Sequence, residues 1–99
     1  MLSYKLAKQL KEAGFPQPKN GELVEGILWE EEDNYHPHLE ELIEWCREKC
    51  FGGMIHLNVM SDGIWGAIGE LPHDGILTEM GKTPSISMAL LGLKLHKHD

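Results

Sequence analysis

Residues 54–69 read MIHLNVMSDGIWGAIG, and this stretch settles the fold class. Two short runs, Met54–Val59 and Ile64–Gly69, are joined by Met60-Ser61-Asp62-Gly63. Runs of this length on either side of an Asp-Gly connection form a β-hairpin, because these turn residues accept the positive φ that a tight reversal demands. Gly63, Gly66 and Gly69 recur every three residues, but within a hairpin such glycines mark a bulge or close packing. Neither a Gly-x-Gly-x-x-Gly nor a Walker pattern accompanies them, so a phosphate loop is excluded. Downstream, Pro72-His73-Asp74-Gly75 forms a further turn and Ile76–Glu79 a further short strand.

Helical periodicity flanks this β region. Leu2, Leu6 and Leu10 recur every four residues, which predicts a helix over Ser3–Ala13. Gly14 fits the left-handed position past its last turn, Phe15 can fold back on Leu10, and Pro16 and Pro18 forbid continuation. Asn20-Gly21 lies in a loop, Val24–Trp29 is expected as a strand weakened by Gly26, and Glu30–Asn34 as an acidic connection. A second helix is expected to begin near Pro37 and to end at Gly52-Gly53, with Leu39, Leu42, Ile43, Cys46 and Cys50 on one apolar stripe. Thr83 caps a last helix whose first residue is Pro84 and which continues to about His96. The expectation is therefore an α+β chain. A small antiparallel sheet of three to four short strands packs with three helices, in the order α-(β)-α-β-β-(β)-α, as a single domain over residues 1–99.

The chain has 99 residues, 41% of them apolar and 25% charged, which suits one globular unit. Its net charge of −7 excludes a general nucleic-acid binder, because phosphate affinity requires a basic surface. No apolar run approaches the ~20 residues of a membrane span, and Lys5 and Lys8 interrupt any signal-peptide core, so a cytoplasmic protein is expected. The charge is uneven: ten of the sixteen acids fall within residues 21–50, against Arg47 and Lys49 alone. Glu30, Glu31 and Glu32 are the densest part of that run, a solvated face by default and a recognition patch otherwise.

Metal binding is the sharpest chemical alternative. Cys46 and Cys50 stand one helical turn apart, and six histidines include the pairs His36/His38 and His96/His98. A structural zinc site needs a matched second pair, which is missing, and both thiols share a stripe with Leu39 and Ile43. They are therefore expected as core thiols, with no metal and no cofactor. No serine or cysteine sits on a recognisable nucleophile turn, and no catalytic residue is assigned. Trp45 either covers the edge of the second helix's stripe against the sheet or stands exposed as a binding residue. The last helix is apolar on two sides. Met88, Leu91 and Leu95 form one stripe, expected to face the sheet, and Ile86, Ala89, Leu90 and Leu93 the other. Covering both requires another helix or a second subunit.

Three segments carry a family resemblance. Leu6-Ala7-Lys8-Gln9-Leu10-Lys11-Glu12-Ala13-Gly14-Phe15-Pro16-Gln17 resembles the opening of a group of small phage and prophage proteins. Leu39-Glu40-Glu41-Leu42-Ile43-Glu44-Trp45-Cys46 is similar to their second helix, and Gly81-Lys82-Thr83-Pro84 with Ala89, Leu91, Leu93 and Leu95 to their closing helix. The resemblance covers about a third of the chain and implies no activity and no site residue. Where the group has Glu-Glu-Ala after Thr-Pro, this chain has Ser85-Ile86-Ser87, which places an apolar side chain on the outer stripe.

Together these readings lead us to expect a non-catalytic protein-interaction module in a bacterial host, forming homodimers or binding a host or phage protein. Ile86, Leu90, Leu93, Trp45, Glu30, Glu31 and Glu32 are its candidate contact residues. The alternatives are an acidic inhibitor that mimics nucleic acid, and a metal-binding or Cys-dependent enzyme.

Overall fold

The computed structural model describes residues 2–30, 33–50, 54–71 and 75–97. Among them lie three helices, α1 (Tyr4–Glu12), α2 (Leu39–Lys49) and α3 (Pro84–Lys97). Two antiparallel sheets accompany them: a miniature pair, β1 (Leu23–Val24) with β2 (Ile27–Leu28), and a three-stranded meander. The meander comprises β3 (Ile55–Val59), β4 (Trp65–Leu71) and β5 (Gly75–Gly81), in the order β3-β4-β5. The fold is α+β, as composition and periodicity lead one to expect.

Local chemistry accounts for the element boundaries. Ser3 caps α1 by accepting a hydrogen bond from the Leu6 N–H at 3.2 Å. At the other end Gly14 has φ +91°, the Gly14 N–H donates to the Lys11 carbonyl, and the Phe15 N–H donates to the Leu10 carbonyl. That is the Schellman ending expected from Gly14-Phe15. α2 starts two residues later than Pro37 suggests. His38 is its cap residue, and Glu41 folds back to accept from the His38 N–H at 2.9 Å, so proline precedes the helix instead of opening it. Thr83 caps α3 through its hydroxyl, which accepts from the Ile86 N–H at 3.1 Å.

Val24–Trp29 is not one strand. Glu25 and Gly26 both adopt positive φ (51° and 82°), which reverses the chain inside the run and pairs Val24 with Ile27 and Leu23 with Leu28. The β3–β4 hairpin forms as expected, with Asp62 and Gly63 at positive φ in its turn. β5 is longer than Ile76–Glu79 because its register against β4 runs from Leu71↔Gly75 to Trp65↔Gly81. The helix stop assigned to Gly52-Gly53, and the turn residues Pro72, His73 and Asp74, lie outside the described residues.

Period-two alternation sends Ile55, Leu57, Ala67, Leu71 and Leu77 toward the helices, where they join one core with Leu6, Leu10, Leu42, Cys46, Met88, Leu91 and Leu95. Three glycines allow the layers to touch. A Cβ at Gly69 would lie 2.8 Å from the Cys50 sulfur, one at Gly81 2.7 Å from the Ser87 nitrogen, and one at Gly92 2.6 Å from the Trp45 ring. α3 thus lies on the sheet through Leu91 and Leu95 and against α2 through Gly92. The resulting body is flat, 41 × 31 × 19 Å.

Candidate functional site

The outer side of α3 and the neighbouring edge of the sheet form the principal candidate. Met88, Ala89, Leu91 and Leu95 are buried, while Ile86, Leu90 and Leu93 remain half-buried. Ala89, expected on the outer stripe, is instead fully buried, because its small side chain sits where the helix packs on the core. The other members divide as the stripes predict, with Leu91 against Gly69 of β4. Leu90 and Leu93 line a shallow groove of about 420 Å³ with Gln9 of α1, Glu79 of β5, Lys94 and Lys97. Lys94 and Glu79 bridge its floor at 3.5 Å. Among the described residues, β5 has a strand partner on one side only. On the sheet face turned away from the helices Ile76 is 58% and Met80 53% exposed, with Met54 and Met60 also exposed. Met60 lies across Gly66, its sulfur 3.2 Å from where a Cβ would stand. Flexible, polarizable methionine suits a surface that meets other proteins.

Trp45 does not belong to that surface. It is buried, edge-on to Phe15 at 5.1 Å and pressed on Gly92 of α3; the alternative of an exposed contact residue is overturned. Lys49 places its ammonium 5.0 Å from the ring centroid. Glu30 is exposed and its N–H donates to the Asp33 carboxylate at 3.1 Å, whereas Glu31 and Glu32 lie outside the described residues.

A second concavity escaped sequence reasoning. Val24, Ile27, Trp29, Asp33, Tyr35 and His36 are among the walls of a cleft of about 380 Å³ beneath the β1–β2 turn. Trp29 and Tyr35 meet edge to face at 5.8 Å. The Tyr35 hydroxyl donates to Glu41 at 2.6 Å, and Glu25 bonds His38 at 3.0 Å. Partial burial, then the hydrogen bond to Glu41 and the charges of Glu41, Glu25 and Glu22, push the Tyr35 hydroxyl up to about 12. A phenol held neutral against carboxylates is a hydrogen-bond donor, not a base. The signal that could have revealed the cleft is Glu25-Gly26, read as a turn, with aromatic residues six positions apart.

Cys46 and Cys50 are free and buried, as core thiols should be. Burial, reinforced by Cys50, pushes the Cys46 thiol up to about 12 despite Lys49 nearby, and its S–H donates to the Met88 carbonyl at 3.3 Å. Burial raises Cys50 as well. Such thiols are poor nucleophiles and poor metal ligands at neutral pH. Among the described residues no three His, Cys, Asp or Glu side chains converge as metal ligands, and no helix is long and apolar enough to cross a membrane. No family model, curated protein or solved structure matches the chain.

Proposed function

We propose that this protein is a non-catalytic protein-interaction module that works as a homodimer through the outer side of α3. The observation that carries the reading is the stripe Ile86, Leu90 and Leu93, which packs on the margin of the core but stays partly exposed after Met88, Leu91 and Leu95 have filled it. Apolar area of this kind is ordinarily covered by a partner, and two-fold pairing is the commonest way for a small chain to cover it with itself. The free thiols support a reducing, cytoplasmic setting. The likeness of the three segments to phage and prophage proteins supports a bacterial host, with a host or phage protein as further partner.

Sedimentation equilibrium at tens of micromolar tests this. The unmodified protein is expected to be a dimer, and Leu93→Glu a monomer with an unchanged circular dichroism spectrum. A monomeric unmodified protein would falsify the reading.

One observation favours a second reading. Glu40, Glu44 and Glu48 stand exposed one turn apart on α2, a row of carboxylates suited to a basic groove that normally holds nucleic acid. Competition with duplex DNA for such a host protein separates the two readings.

A further inference from the structure

We propose that β5 of two copies pair antiparallel about a two-fold axis through Thr78, joining the two meanders into one continuous six-stranded sheet. This deepens the homodimer reading and rests on it.

On the face turned away from the helices, the strand Gly75-Ile76-Leu77-Thr78-Glu79-Met80-Gly81 is complementary to itself when reversed. With Thr78 opposite Thr78 of the partner, Ile76 falls opposite Met80 on the same face, twice. The two ends meet as Gly75 opposite Gly81. On the face turned away from the helices this lines up Ile76/Met80, Thr78/Thr78 and Met80/Ile76. Apolar and threonine pairs of this kind stabilise antiparallel strands, and Ile76, Thr78 and Met80 are all exposed in the single chain. β5 also lacks the usual protection of an edge. It holds no proline or lysine, and its one charge, Glu79, is answered within the chain by Lys94 at 3.5 Å. The other edge, β3, is two residues shorter and turns His56 and Asn58 outward, so it offers no apolar pairs on that face.

The helix side fits the same axis. α3 runs antiparallel to β5: Ile86 sits at Gly81, Lys94 reaches Glu79, and Leu91 and Leu95 sit over Gly69, the register partner of Leu77. The stretch of α3 from Leu91 to Leu95 therefore lies level with Thr78. Pairing the strands sets two α3 helices side by side on one face of the joint sheet, with Leu90 and Leu93 of each copy turned to the seam. A single two-fold operation thus covers both the open strand edge and the apolar stripe, which is what an isologous interface requires.

Thr78 is exposed and outside the core, so its substitution leaves the monomer able to fold. By sedimentation equilibrium, Thr78→Lys and Thr78→Glu should each weaken the dimer roughly tenfold or more, because like charges then face each other across the axis. Mixing the two variants in equal amounts should restore it as a heterodimer. Thr78→Cys should form a covalent dimer on mild oxidation with diamide, while the buried native thiols do not. A dimer undisturbed by Thr78→Lys, a mixture that stays monomeric, or a Thr78→Cys protein that does not cross-link overturns the pairing. If the dimer survives Thr78→Lys but is lost in Leu93→Glu, the strand pairing fails and the α3 reading stands. A monomeric unmodified protein overturns both.

Discussion

Gly92 shows how one missing side chain governs the packing of this chain. Its α-carbon faces the Trp45 ring, and a methyl group there would stand 2.6 and 2.8 Å from two ring carbons and 3.1 Å from the Cys46 sulfur. Phe15, edge-on at 5.1 Å, and the Lys49 ammonium, 5.0 Å from the ring centroid, also pack on the Trp45 ring and restrict its movement. Gly92→Ala should therefore destabilise by about 1–3 kcal/mol, even though alanine is the better helix former, with urea unfolding as the measure. Cys46 beside it fills volume and hydrogen-bonds Met88. Cys46→Ala should cost on the order of 1–2 kcal/mol, and both native thiols should react with a thiol reagent only as fast as the protein unfolds. Titration adds a signed expectation. The folded state holds the Cys46 proton up to about 12 against an ordinary 9.0, so above pH 9 the unfolded chain binds fewer protons than the native one. That contribution is whole below pH 9 and is lost as pH rises toward about 12. Tyr35, raised from 10.0 to about 12, works in the same direction. Thermal midpoints should fall across that window, and Cys46→Ala should fall less steeply.

Thr83 at the start of α3 and Gly14-Phe15 at the end of α1 are boundaries legible without coordinates, whereas Ser3, expected as the first helical residue, proves to be a cap. Ser3, Thr83 and the Gly14-Phe15 pair each take up backbone groups that a helix end leaves free. Thr83→Ala should lower stability by about 1 kcal/mol with no change in α3's core contacts, seen as a lower urea midpoint at constant slope. The β1–β2 turn is less well matched to its sequence. Glu25 adopts φ 51°, where a branched or long side chain is disfavoured and asparagine is tolerated. What it provides instead is a carboxylate 3.0 Å from His38, tying the turn to the start of α2. Glu25→Asn should relieve the backbone by a few tenths of a kcal/mol yet free the turn, sharpening exchange of the Val24 and Ile27 amides in hydrogen-exchange NMR. Sequence periodicity reads Val24–Trp29 as one strand because Glu25-Gly26 is a weaker reversal signal than Asn-Gly.

At the scale of the whole molecule, α3 decides both stability and association. Leu91 is completely buried, its side chain 3.5 Å from where a Cβ at Gly69 would stand. Leu91→Glu should prevent folding, since an unpaired buried carboxylate costs more than a small domain can spare; a flat circular dichroism melt is the expected result. The contrast with Leu93→Glu, two residues away, is sharp: that variant should fold and lose only its partner. The amino-acid sequence by itself determined the fold class, the Thr83 cap of α3, the Gly14-Phe15 stop of α1, the central hairpin, the core thiols and, Ala89 apart, the two sides of α3. All of these depend on interactions among residues a few positions apart, which spacing alone encodes. Only the tertiary structure decided that Trp45 is buried against Gly92, that the acidic turn at Glu25 roofs an aromatic cleft, and that β5 is, among the described residues, an edge strand beside Leu90 and Leu93. Each of those depends on which distant segments meet, through a glycine that lets a helix approach or through a strand order that leaves one edge open, and no local pattern of side chains carries that information.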